Sequence, residues 1–210
     1  MAGIITTASG KKFPLKILTA AEFKKALRPY VTTLGYVAFS WNRLHDNLSH
    51  LFKALVKTES ADMAQAIWYP ADSDIIQRKM LRSAAEMAIH LTTSQRDEIK
   101  WLLNQIDDAL RHQRNNALHA PLMLMRGVID DVLLTWVEAN KFSASPRAKA
   151  LRDKNLINEF EAYGAHIDVL SDYAANMSNA IIFPGVHTWP ERPDLPHAHQ
   201  KKKIRRSTRK

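Results

Sequence analysis

The chain has 210 residues, enough for one substantial domain with appendages, and 46% hydrophobic with 24% charged residues is an ordinary globular composition. Cysteine is absent, which excludes disulfides, thiolate metal sites and cysteine nucleophiles. The formal charge of +9 is concentrated in residues 201–210, KKKIRRSTRK, whose seven cationic side chains leave +2 for everything before them.

The N-terminal stretch MAGIITTASGKKF has no apolar segment long enough for a signal-peptide core. Nowhere does the chain approach the ~18 consecutive apolar residues of a membrane helix. A cytoplasmic protein with no membrane partner is therefore expected. Residues 1–19 read as a flexible lead-in. A short helix is expected over 20–27, and Pro29 sits where a new helix would start, its missing N–H being harmless there. From Tyr30 to Lys57 the residues Leu34, Ala38, Trp41, Leu48, Phe52 and Leu55 recur at helical spacing, with His45 filling one place in the series. That pattern predicts one long amphipathic helix.

WYPADSD marks a loop, and Asp72 or Ser73 is positioned to cap a helix running from Asp74 to Leu91. TTSQRDE separates it from a third long helix. Thr93 or Ser94 can cap this one, and Ile99, Leu102, Leu103, Ile106 and Leu110 form its apolar face. Pro121 disfavours helix at the residue before it, so the helix should end near 118–120. LMLM, RGVIDD and VLLTWV then read as a small β-hairpin within 122–137, with continued helix as the competing reading. FSASPRAK is a loop. Over 153–181 the residues Leu156, Phe160, Tyr163, Ile167, Leu170, Ala174, Met177 and Ile181 form a heptad seam, for packing on other helices or on a second subunit. The fold class is accordingly mainly α: a bundle of about four to five helices over 20–183, followed by a disordered Pro-rich and basic tail over 184–210.

The chain lacks a Gly-rich phosphate loop, an HExxH helix and a GxSxG elbow, so no cofactor or metal is expected. His197 and His199 form a His-x-His pair in the tail, a pattern that is usually not a ligand set. Any chemistry falls to polar side chains carried on helices. The third long helix ends in RHQRNNALHAP, residues 111–121, and two readings compete there. In one, Arg111, His112, Arg114 and His119 simply complement the helix C-terminal dipole. Alternatively, they form a site. By helical spacing Arg111 has Asp107 and Asp108 as partners, whereas Arg114 has only Asp107 two turns back and is freer to hold an outside anion. Asn115 lies one turn before His119 and can orient its imidazole. Arg114 and His119 are about 140° apart on a regular helix, so convergence requires unwinding before Pro121. A histidine beside an arginine suits acid–base work on a phosphodiester, the arginine steadying the charge that develops on phosphorus. Arg78 and Arg82 form a basic ridge on the preceding helix, either as salt-bridge decoration or facing this polar end.

The run Arg114-Asn115-Asn116-Ala117-Leu118-His119, an arginine and a polar residue followed at short spacing by a histidine, resembles the signature of the HEPN superfamily of all-helical domains found in toxins and antiviral defence systems. That resemblance implies a helical homodimer whose paired motifs cut RNA without a metal, using the 2′-hydroxyl as nucleophile. By position, Arg114 would bind the scissile phosphate, His119 would be the acid–base group and Asn115 would orient it. Outside the motif, Arg111, Arg78 and Arg82 are the candidate substrate-binding residues. The chain departs from one toxin class in having no tyrosine directly after His119, and the hairpin is not part of the minimal bundle. The alternative expectation is a non-catalytic helical nucleotide-binding or protein-interaction module. A third is nucleic-acid binding driven by the basic tail alone.

Overall fold

The computed structural model describes residues 3–7, 9–15, 18–58, 60–129 and 132–196. The fold is mainly α-helical. Two helices, α1 (Ala20–Val56) and α7 (Leu156–Ile182), form its backbone. Around them lie α2 (Ala61–Trp68), α3 (Asp74–Met87), α4 (Thr93–Gln105), α5 (Arg111–His119) and the short α6 (Pro146–Leu151). The hairpin β1 (Gly3–Thr6) and β2 (Lys12–Leu15) precedes the bundle, and β3 (Leu122–Ile129) with β4 (Val132–Ala139) interrupts it. No helix among the described residues is long and apolar enough to cross a membrane.

The core is the junction of α1 and α7. Leu44, Leu48, Leu51 and Leu55 of α1 are buried, as is every member of the α7 seam from Phe160 to Ile181. The seam packs on α1 of the same chain. Burying each such side chain contributes about 1.5–3 kcal/mol before entropy is counted. Polar contacts set the register of the two helices. Asn47 donates to Ser171 Oγ at 2.9 Å, and Arg43 donates to Asp168 at 2.9 Å.

Several expectations are corrected. α1 is one helix and not two: Thr19 and Glu22 form a capping box at its start, and Pro29 lies inside it. The carbonyl deprived of a partner by Pro29 belongs to Lys25, which is exposed and can be hydrated. The lead-in contains the β1–β2 hairpin, paired from Gly3 opposite Leu15 to Thr6 opposite Lys12. Part of FSASPRAK is the helix α6. Thr92, one residue earlier than expected, caps α4, because Gln95 completes a capping box with it. The α3 cap is Ser73, one of the two residues proposed.

The β3–β4 hairpin forms where the apolar runs placed it, and Gly127 lies within β3 opposite Leu134. Of the segment read as tail, residues 184–196 lie along the body. Trp189 and Leu195 pack against the core, and Arg192 donates to both carboxylate oxygens of Glu98 at 3.0 and 2.7 Å while covering Trp101. The His-x-His pair and the basic run 201–210 fall outside the described residues.

Candidate functional site

The site is built where α1, α3 and the end of the third long helix meet. That helix is not uniform. Residues Ile106–Leu110 form a π-turn between α4 and α5, in which the Arg111 N–H reaches the Ile106 carbonyl. A π-turn accommodates one extra residue, so everything after it is rotated by about 100° from the α-helical register. The spacing rules linking Asp107 to Arg111 and Arg114 therefore fail. Asp107 turns to α3 instead. Its Oδ1 accepts from Arg78 Nε at 2.9 Å, and its Oδ2 is 3.9 Å from Arg82 Nη2.

Arg78 is 2% exposed, so it is part of the interior and not a surface ridge. A buried guanidinium needs a nearby charge, which Asp107 supplies. Its Nη1 lies 3.4 Å from His45 Nε2, and Nη2 has no acceptor. Arg82 stays nearer the surface and donates to Asn104 at 2.9 Å.

α5 remains helical through His119, and only Ala120 turns extended ahead of Pro121. The expected unwinding between Arg114 and His119 does not occur. They meet nonetheless, because the arginine is long enough to span the gap: Arg114 Nη1 lies 3.5 Å from His119 Nε2. The Arg114 N–H in that contact faces an imidazole nitrogen, which accepts only when the ring is neutral at Nε2. His119 is exposed. Asn115 orients the arginine, not the histidine, its Oδ1 accepting from Arg114 Nη1 at 3.0 Å. Among the described residues Arg114 has no carboxylate partner, and neither has Arg111, whose expected pairing with Asp107 and Asp108 is absent.

Trp41, His45 and Asp74 join this cluster, and sequence reading had placed none of them in a site. Trp41 is buried, with the guanidinium carbons of Arg78 and Arg114 at 5.9 and 5.7 Å from its ring centre. Cation–π attraction of this kind is stronger when desolvated and holds the two like charges on one surface. The indole Nε1 donates to Asp74 Oδ2 at 3.0 Å. The His45 ring lies 5.0 Å from that of Trp41, tilted by 43°, and its Nδ1 lies 3.2 Å from Gln77 Oε1. Burial, and secondarily the positive charges of Arg78 and Arg114, hold His45 below its ordinary value of 6.5, against an opposing pull from Asp74. The available signal was a histidine in an otherwise apolar series, one turn after a tryptophan. Between these elements lies a cavity of about 290 Å³, lined by Trp41, Asp74, Arg78, Arg111, Arg114 and Asn115 among others.

Of the six site residues expected from sequence, Arg114, Asn115 and His119 form one contact chain. Arg111 and Arg78 share the cavity wall with Arg114, while Arg82 stands behind Arg78, linked through Asp107. Comparison of the chain with protein-family models, curated sequences and solved structures returned no match.

Proposed function

We propose that this protein is a metal-independent endoribonuclease of HEPN-like type, with Arg114 and His119 as its catalytic pair. The observation that carries the reading is the 3.5 Å approach of Arg114 Nη1 to His119 Nε2, by an arginine that no carboxylate among the described residues neutralises. A scissile phosphate held by Arg114 would place its ribose beside His119. As the phosphate draws the Arg114 fork off His119, the freed Nε2 lone pair takes the proton of the 2′-hydroxyl, and O2′ forms a bond to phosphorus. The P–O5′ bond breaks, and the departing oxygen takes up a proton from solvent water. The products are a 2′,3′-cyclic phosphate and a 5′-hydroxyl end. Arg114 stabilises the charge on the phosphorane oxygens, and a positioned guanidinium is most effective where that charge develops. Asn115 fixes the Arg114 fork. A second copy of the chain would bring a second pair to the same phosphate.

The test is cleavage of single-stranded RNA with EDTA present, by the wild-type protein and by His119→Ala. General acid–base groups contribute about 10²–10⁴-fold, and the variant should lose that much. Equal cleavage by the two proteins would remove His119 from the mechanism. No cleavage by either, with RNA still bound, would favour the second reading, a non-catalytic phosphate-binding module. That reading draws on the cavity, whose wall carries Arg78, Arg111 and Arg114.

A further inference from the structure

The cavity between α1, α3 and α5 is distinct from the Arg114–His119 contact, although Arg114 belongs to both. Its composition is unusual for a surface recess. Arg78 forms part of the wall, is 2% exposed, and carries in Nη2 a buried donor that no atom of the described residues accepts. Arg114 Nε is likewise buried without an acceptor. Leaving a buried donor unsatisfied costs about 1–3 kcal/mol, more when the group is charged. Arg111 lines the same recess with no ion-pair partner among the described residues. At its edge α3 begins, with the Ser73 hydroxyl taken by the Ile76 N–H, so the positive end of that helix faces the same space.

Two carboxylates also line the recess, and both are accounted for. Asp74 is engaged through Oδ2 by the Trp41 indole N–H and lies 3.9 Å from His45 Nε2. Asp72 is exposed to solvent at the rim. Trp41 holds Asp74 on its ring edge while its π system carries Arg78 and Arg114. Asp74 is thereby kept off Arg111 and Arg114, which have no carboxylate partner among the described residues, while Arg78 is paired with Asp107.

We propose that this cavity is a phosphate subsite, taking a phosphate group of an RNA chain on Arg78, Arg111 and Arg114. It rests on the ribonuclease reading for the source of the phosphate, not for the chemistry of the cavity. An oxyanion with several acceptor oxygens matches planar forks presented from three directions. The scissile phosphate and its neighbour along the strand would share Arg114, one on the His119 side and one in the cavity. The subsite thereby sets which phosphodiester lies against His119.

The experiment is a titration of the arginine Nε–Hε resonances of the full chain. The probes are inorganic phosphate, a 5′-phosphorylated trinucleotide and the same trinucleotide with a 5′-hydroxyl. Phosphate should shift a small set of these resonances, with the phosphorylated trinucleotide binding more tightly than phosphate alone. Arg111→Gln, at a partly exposed position outside the core, should weaken both by about tenfold, corresponding to one lost charge-assisted contact of about 1.4 kcal/mol. Arg78→Lys keeps the charge and removes Nη2, and if it folds by circular dichroism it should weaken them similarly. Unchanged affinity in Arg111→Gln overturns the subsite, whatever Arg78→Lys does. Phosphate binding lost in Arg111→Gln, from a wild type that cuts no RNA, keeps the subsite and overturns only the nuclease reading. Tight phosphate binding with no gain from the trinucleotide overturns RNA as the source.

Discussion

Arg78 of α3 and Asp107 of the π-turn are joined by an Nε-to-Oδ1 hydrogen bond of 2.9 Å across 29 positions of sequence, and this contact ties α3 to the π-turn that precedes α5. It neutralises the buried guanidinium, and it holds the π-turn that rotates Arg111 and Arg114 toward α1.

Asp107→Ala should therefore be costly although Asp107 itself is 37% exposed, because the charge left behind sits on a residue that is 2% exposed. Removing one partner of a buried pair costs about 3–5 kcal/mol, and the exposure of this one brings the expectation to about 2–3 kcal/mol. Urea unfolding measures it. Asp108→Ala, at an exposed neighbouring position, should change stability by less than about 0.5 kcal/mol. Equal effects of the two would show that Asp107 acts only as a surface charge.

Arg114→Lys retains the positive charge but loses the fork that reaches Asn115 and His119. RNA cleavage should fall by about 10²–10³-fold, in the range observed for removing one charge-stabilising donor. The unfolding midpoint should barely move. Steady-state kinetics of the purified variant read both the rate and KM. Full activity would separate catalysis from guanidinium geometry.

His45 and His166 are each held below the ordinary histidine value of 6.5, in both cases chiefly by burial. His45 sits between Gln77 and Arg78, and His166 Nδ1 lies 3.2 Å from Gln113. With a folded value below the unfolded one, the unfolded chain binds protons more readily. Their contribution to stability is then fully present above pH about 6.5 and is lost as pH falls below it, through the folded values. Unfolding free energy should decline on acidification through this window, and His166→Gln should flatten the slope. Stability that rose on acidification from pH 7 to 5 would contradict this assignment.

Gly164 lies against the Tyr36 ring at the α1–α7 contact, where an added Cβ has no room. Tyr36 cannot swing away without giving up its hydroxyl bond to Asp168. Gly164→Ala should destabilise the protein by about 1–3 kcal/mol, and Tyr36→Ala in the same chain should recover part of that loss. Gly35, on the same helix as Tyr36, has open space around it, so Gly35→Ala should stabilise by about 0.5–1 kcal/mol through helix propensity. Thermal melts of the three proteins decide it.

Much of this molecule is decided locally and is legible in one dimension. Apolar spacing is enough to define the long helices, since a helix that must bury a stripe repeats it every three to four residues. The heptad of α7, the hairpin after Pro121 and the extended backbone at Ala120 follow from side-chain period and from the steric effect of proline. Arg114, Asn115 and His119 are close in sequence, and their types and spacing sufficed to single them out. What the sequence left open depends on phase and on distant partners. A π-turn has no simple compositional mark, yet its one-residue bulge reassigned Asp107 from α5 to Arg78 and left Arg111 and Arg114 without acidic partners among the described residues. Trp41, His45 and Asp74 come from two helices far apart in the chain, and only the packing of α3 on α1 sets them around the arginines. Short-range chemistry determined which residues were available. The tertiary structure decided which charges were neutralised and which were left to face a cavity, because a buried ion takes the partner that packing supplies.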